Sequence, residues 1–169
     1  LIREGSSELS LFYKRSLKMR KNITIGERTI ELECNLGTAS FFQEFAKRNI
    51  FSCSSEIATR TAAAAKVIKS AGVTTNVDIA TEANQALEEL ALAKAEAVDV
   101  AAKLIYIMSL QASHGKTKED ISMIRALLTD DDYLVWSMDI SPELITFETY
   151  KEVMDFWKSQ TEKTSQSKN

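Results

Sequence analysis

The stretch TNVDIATEANQALEELALAKAEAVDVAAKLIYIMSLQA, residues 75–112, decides the fold class of this chain. Ile79, Ala83, Ala86, Leu87, Leu90, Ala97, Val98, Ala101, Ile105 and Met108 recur at helical spacing. Glu82, Glu88, Glu89, Lys94, Glu96, Asp99 and Lys103 make the polar side. Thr75-x-x-Asp78 has the spacing of a capping box, with Asp in the acidic place. The pattern predicts one helix from there to about Ala112, roughly 50 Å long at 1.5 Å per residue. A domain of 169 residues does not need a helix of that length. Part of it is expected to bend or to pair with a neighbouring subunit.

Composition agrees with a helical class. Apolar residues make up 44% and charged residues 27% of the chain, enough for an ordinary core. With 5 Gly and 1 Pro, a sandwich or barrel lacks the turn residues it requires. No apolar run reaches the length of a membrane span. A net charge of −3 argues against coating nucleic acid. Cys34 and Cys53 are too few for a disulfide scaffold and fit no zinc spacing, so two buried thiols in a reducing compartment are expected. No secretory signal is visible, and a cytoplasmic location is the default.

Upstream of the long helix, Ile23, Ile25, Ile30, Leu32 and Cys34 alternate with polar residues. Gly26-Glu27 between the two runs suits a two-residue type II′ turn. A hairpin over about 22–35 follows, with Ile23 opposite Ile30. Two strands alone are marginal, so the hairpin must lie on helices or pair with another chain. Gly37-Thr38 opens a helix whose apolar face holds Phe41, Phe42, Phe45 and Ile50. Ser54 or Ser55 is the candidate cap of the next helix, which runs through Ala62–Ala65 to about Ser70 and stops at Gly72. The alanines either let another helix approach closely or form a plain surface.

Downstream, Thr117-x-x-Asp120 and Thr129-x-x-Asp132 each start a helix, and Ser141-Pro142 is a cap with Pro at the first helical position. The last helix covers about Thr146 to Lys158, with Phe147, Tyr150, Met154 and Trp157 as its apolar stripe. Ser159–Asn169 has no apolar residue and reads as a disordered tail. The expected architecture is mainly α: an N-terminal β-hairpin, then a helical bundle with one long helix, in a single domain over 19–158.

Residues 1–18 look foreign to that domain. Lys14-Arg15-Ser16 can be encoded AAA AGG AGT, which contains a ribosome-binding sequence at a suitable distance before Met19. The expectation is a natural start at Met19 with a translated leader before it; a true N-terminal arm or a cloning scar is the alternative. The leader holds Arg3, Lys14, Arg15 and Lys18 against Glu4 and Glu8, so the remainder is more acidic than the whole.

Catalytic patterns are absent. His114 stands in a polar turn without an obvious partner. Asp130–Asp132 lacks the spacing and Gly of a calcium loop and reads as a helix N-terminus. Gly115-Lys116-Thr117 lacks the rest of a phosphate loop, and no Gly-x-Ser-x-Gly elbow occurs. Trp136 and Trp157 are core residues first and partner anchors second. No cofactor and no metal are expected. These features describe a binding protein better than an enzyme.

The layout resembles the tail assembly chaperones of long-tailed bacteriophages and related prophages. The opening ITIGERTIELECN (23–35) is similar to their Ile-x-Ile-Gly-x-x-x-x-x-Leu start, and ASFFQEFAKRNI (39–50) to their Phe-rich helix. KLIYIMSLQA (103–112) resembles their Leu-Ala-Tyr-x-Met-x-x-x-Ala helix, and YLVWSM (133–138) stands where members carry an acidic segment ending in an aromatic. Val153–Trp157, followed by Ser, Thr and Lys, resembles their Leu-Trp ending. The likeness covers about 19–169, its motifs are short, and it departs in the long Ala-rich middle, 56–101. Ser167-Lys168-Asn169 can be encoded TCA AAA AAC, which contains the slippery heptamer A AAA AAC. Family members are commonly made in a short form and a longer −1 frameshift form.

The resemblance implies binding to the tape-measure protein, protection of its apolar helices, and recruitment of tail-tube subunits in the host cytoplasm. It implies absence from the finished virion. Self-association suits the hairpin, while nucleic acid and membrane are not expected partners. Candidate partner-binding residues are Phe41, Phe42 and Phe45, and the face of Ala62 and Ala65. The rivals are a non-enzymatic helical adaptor or regulatory oligomer unrelated to tails, and an enzyme using scattered carboxylates.

Overall fold

The computed structural model describes residues 20–114 and 117–166. The expected leader, Gly115-Lys116 and the tripeptide Ser167–Asn169 lie outside the described residues. The described chain is mainly α, with an N-terminal hairpin, β1 (Arg20–Ile25) and β2 (Arg28–Glu33), followed by α1 (Thr38–Ala46), α2 (Ile50–Ala71), α3 (Val77–His114), α4 (Lys118–Leu127), α5 (Asp130–Ile140), a 3₁₀ turn (Pro142–Leu144) and α6 (Phe147–Gln166).

The strands pair antiparallel with Ile23 opposite Ile30, and Gly26-Glu27 forms the loop. Gly26 has φ +61° while Glu27 does not take a positive φ, the pattern of a type II′ turn. A Cβ there would also come within 2.7 Å of Leu144 Cδ1 on the 3₁₀ turn, so that flexible side chain would have to shift. Ile23, Ile25, Leu32 and Cys34 are buried, and β2 packs on α3. The helices therefore supply the apolar surface that an isolated hairpin lacks.

α1 begins after Gly37, as the sequence indicates, and ends at Lys47, which takes the left-handed conformation with φ 58°. The next cap is neither Ser54 nor Ser55. Asn49 Oδ1 accepts from the N–H groups of Phe51 and Ser52, at 2.9 and 3.2 Å, and α2 starts at Ile50. The early start winds Ile50, Cys53 and Ile57 onto one buried stripe, which a start at residue 55 would have broken. Gly72, φ +54°, ends α2 as expected.

The cap of α3 is displaced too, by one residue. Asn76 Oδ1, not Thr75, accepts from the N–H of Asp78 and of Ile79. α3 is a single helix of 38 residues, about 57 Å long at 1.5 Å per residue. Its C-terminal half is the centre of the core, with Leu104, Ile105, Ile107 and Met108 fully buried between the hairpin and the other helices. Its N-terminal half runs beside α2 as a two-helix arm, with Ala64 of α2 and Ala86, Ala93 and Ala97 of α3 buried. Small side chains there allow close helix approach.

α4 has the full capping box of Thr117 and Asp120, and Thr129 caps α5 through the Asp132 N–H. Ser141, φ 65°, closes α5, and Pro142 opens only a 3₁₀ turn. α6 does not stop at Lys158 but continues to Gln166. Buried Trp157 and Gln160 keep its later turns on the bundle. The segment that follows is polar but has no Gly or Pro to break the helix, and the Thr161 hydroxyl bonds back to the Trp157 carbonyl. Val153 and Phe156 widen its buried stripe beyond the four residues expected.

Candidate interaction surfaces

Phe41 and Phe42 are not a docking face. They are 5% and 1% exposed and belong to the core. Phe45 is half-buried in an aromatic cluster that joins three helices: its ring centroid lies 6.0 Å from Tyr106 and 5.4 Å from Tyr133. Trp136 completes the cluster at 5.1 Å from Tyr106, whose hydroxyl donates to the Leu127 carbonyl at 2.5 Å. Burial pushes the Tyr106 and Tyr133 hydroxyls up to about 12, with lesser contributions from Asp132 and Asp99 respectively. The sequence signal that made these phenylalanines prominent, a dense apolar run at a helix start, is the signal of core packing.

Ala62 and Ala65 are exposed, and the seam alanine between them is Ala64. Their direction follows from the helical period. Ile57 and Ala64 face α3. Arg60 marks one flank, its Nε 2.5 Å from Glu89 and its Nη1 2.5 Å from Glu96. Ala58, Ala62 and Ala65, rotated 100° per residue, lie on the other flank. Leu87 and Lys94 share that side of α3 by the same geometry, and Lys94 Nζ sits 5.4 Å from the Phe147 ring centroid of α6. α6 thus covers this flank near the core. Further out, Ala62, Ala65 and Leu87 are left uncovered.

An open groove of about 350 Å³ lies against Ala58, one turn before Ala62. It is lined by Phe51, Ser54, Ser55 and Ala58 of α2 and by Trp157, Lys158 and Thr161 of α6. Phe51 stands half out of it, edge-on to Trp157 at 4.6 Å. Val67, Val73, Val77, Ile79 and Leu92 add exposed apolar surface along the arm.

Glu96 is the electrostatic centre of the arm's base. It accepts from Arg48 at 2.7 Å as well as from Arg60. Its carboxyl is held below the usual carboxylate range, chiefly by the Arg48 hydrogen bond and then by Arg60. Neither arginine stood out in the sequence, because partners dozens of residues apart share no local pattern.

The remaining candidates have structural positions. Cys34 and Cys53 are buried free thiols. Burial pushes Cys34 up to about 11 and raises Cys53 too, which leaves both thiols protonated and poorly nucleophilic at neutral pH. Asp130–Asp132 form the first turn of α5. His114 closes the last turn of α3 rather than lying in a turn. Trp157 is core and Trp136 half-buried. Among the described residues no group of His, Cys, Asp and Glu is placed to hold a metal ion, and no helix is long and apolar enough to cross a membrane.

α5 carries a surface the sequence reading did not separate. Its Tyr133, Trp136, Ser137 and Ile140 face inward, whereas Leu134, Val135 and Met138 face solvent. Both sets were visible as one apolar run. The distinguishing signal is that they form two stripes at helical spacing. No family model, curated protein or solved structure matches this chain.

Proposed function

We propose that this protein is a non-enzymatic tail assembly chaperone of a long-tailed phage or prophage. It binds the tape-measure protein in the host bacterial cytoplasm, keeps it soluble, helps recruit tail-tube subunits and leaves before the virion is complete. A −1 frameshift at Ser167-Lys168-Asn169 produces a second, longer form. The observation that carries the reading is the uncovered face of the α2–α3 arm around Ala62, Ala65 and Leu87. Small side chains there admit a client helix at short range, beside a groove already open between α2 and α6.

The test is co-expression from the native gene cluster with the neighbouring gene for a long coiled-coil product. The expected result is a soluble complex that is lost when Ala62 and Ala65 are both replaced by Glu, with helical circular dichroism unchanged. Mass spectrometry of the same culture should find a peptide running from Ser167-Lys168 into the −1 frame. An insoluble neighbour and chains that all end at Asn169 would together remove the tail reading.

A further inference from the structure

We infer that the outer face of α5 is a docking site for an amphipathic helix with basic flanks, supplied by another protein. Leu134, Val135 and Met138 are 57%, 70% and 73% exposed. They occupy positions i, i+1 and i+4, a continuous apolar ridge on one side of the helix. Leu144, on the 3₁₀ turn that follows, is also 48% exposed. Three large apolar residues side by side on the wet face of a short helix are not explained by the core, which takes the other side of α5.

Charge identifies the occupant. From residue 126 to residue 150 the chain has no Lys, Arg or His. In the same span Asp130 and Asp131 lie at the N-terminal end of the ridge, and Asp139 and Glu143 at the other end; all four are exposed. Arg28 of the hairpin reaches Asp139 at 2.5 and 3.1 Å, and the other three acids form no ion pair among the described residues. An apolar ridge with acids at both ends matches a helix whose apolar stripe is bordered by Lys or Arg. A second copy of this chain is disfavoured. Two-fold pairing through this ridge would bring each acidic end against acids of the same surface. The site is separate from the alanine face of the arm and stands whether or not the client there is a tape measure.

The experiment uses two labelled helical peptides with the same leucine stripe at i, i+3, i+4 and i+7. One carries Lys on its flanks and the other Glu. Fluorescence anisotropy against the full chain should show the Lys peptide binding at least about tenfold more tightly than the Glu peptide. Val135→Asp and Met138→Asp should each weaken the Lys peptide by a similar factor. Both side chains point to solvent, so circular dichroism and the thermal midpoint should stay unchanged. Ala62→Glu should leave this binding intact, which separates it from the arm. Equal binding of the two peptides, or Lys-peptide binding that ignores Met138→Asp, overturns the proposal. So does a dimer in sedimentation that Val135→Asp dissociates, which would assign the ridge to a second copy.

Discussion

The hydroxyl of Thr38 donates to Gln111 Oε1 at 2.7 Å, and both residues are completely buried. Gln111 Nε2 in turn donates to Asn35 Oδ1 at 2.8 Å, which also accepts from the Gly37 N–H. The loop between hairpin and first helix is thus bonded to the last turns of α3. A buried amide is costly unless its partners are present, so the network fixes where the hairpin sits along the long helix. Gln111→Ala should lower stability by about 1–3 kcal/mol in urea unfolding. A cycle with Thr38→Val should show coupling, since the two changes remove one shared bond. Additive losses would mean that the network does not act as a unit.

The Gly26 turn carries two constraints that a double mutant can separate. Gly26→Ala should cost about 1–2 kcal/mol, from the left-handed backbone and from the clash with Leu144. Adding Leu144→Ala opens the space and should recover only the steric part. Full recovery in thermal melts would show that the backbone conformation costs nothing there.

Acid should weaken the base of the arm. Glu96 is depressed in the folded chain, so its contribution is present above the ordinary carboxylate pKa and is lost as pH falls through the folded value. The stability gap between the natural chain and Glu96→Gln should therefore be largest near neutrality and shrink as pH falls below the ordinary carboxylate range. High salt should narrow it as well, because the three side chains are partly solvated. A gap that is constant with pH would exclude the ion pairs as its source.

The two thiols should be silent toward a disulfide reagent in the native chain near pH 8 and both titrate after denaturation. Cys34 also predicts an alkaline limb. Its folded pKa of about 11 lies above the ordinary 9.0, so the folded state holds the proton more tightly. Stability should be full below pH 9 and decline toward pH 11. Cys34→Ala should flatten that part of the curve, and an unchanged slope would assign it to other groups.

What the sequence made legible was local. Hairpin register, the turn type and the Thr117 and Thr129 caps follow from neighbouring residues and were all readable. The two misplaced caps went to asparagines: Asn49, five residues before Ser54, and Asn76, next to Thr75, a residue type that caps comparably. At Asn49 burial of Ile50, Cys53 and Ile57 decided the start, and burial is a tertiary property; at Asn76 the neighbouring Val77 and Ile79 are exposed, and no such burial separates Asn76 from Thr75. Phe41 and Phe42 show the same limit. An apolar helix face is equally consistent with core and with docking surface until the covering elements are known. The Asn35–Thr38–Gln111 network and the Arg48–Glu96–Arg60 set join distant positions, and no spacing rule announces them.

α3 has neither Gly nor Pro from Val77 to His114, and so has no built-in joint. One end is clamped inside the bundle and the other projects with α2 as its brace. The arm therefore acts as a stiff outrigger rather than a tether. Whatever rests near its tip stands off from the hairpin at a reach set by the length of the helix.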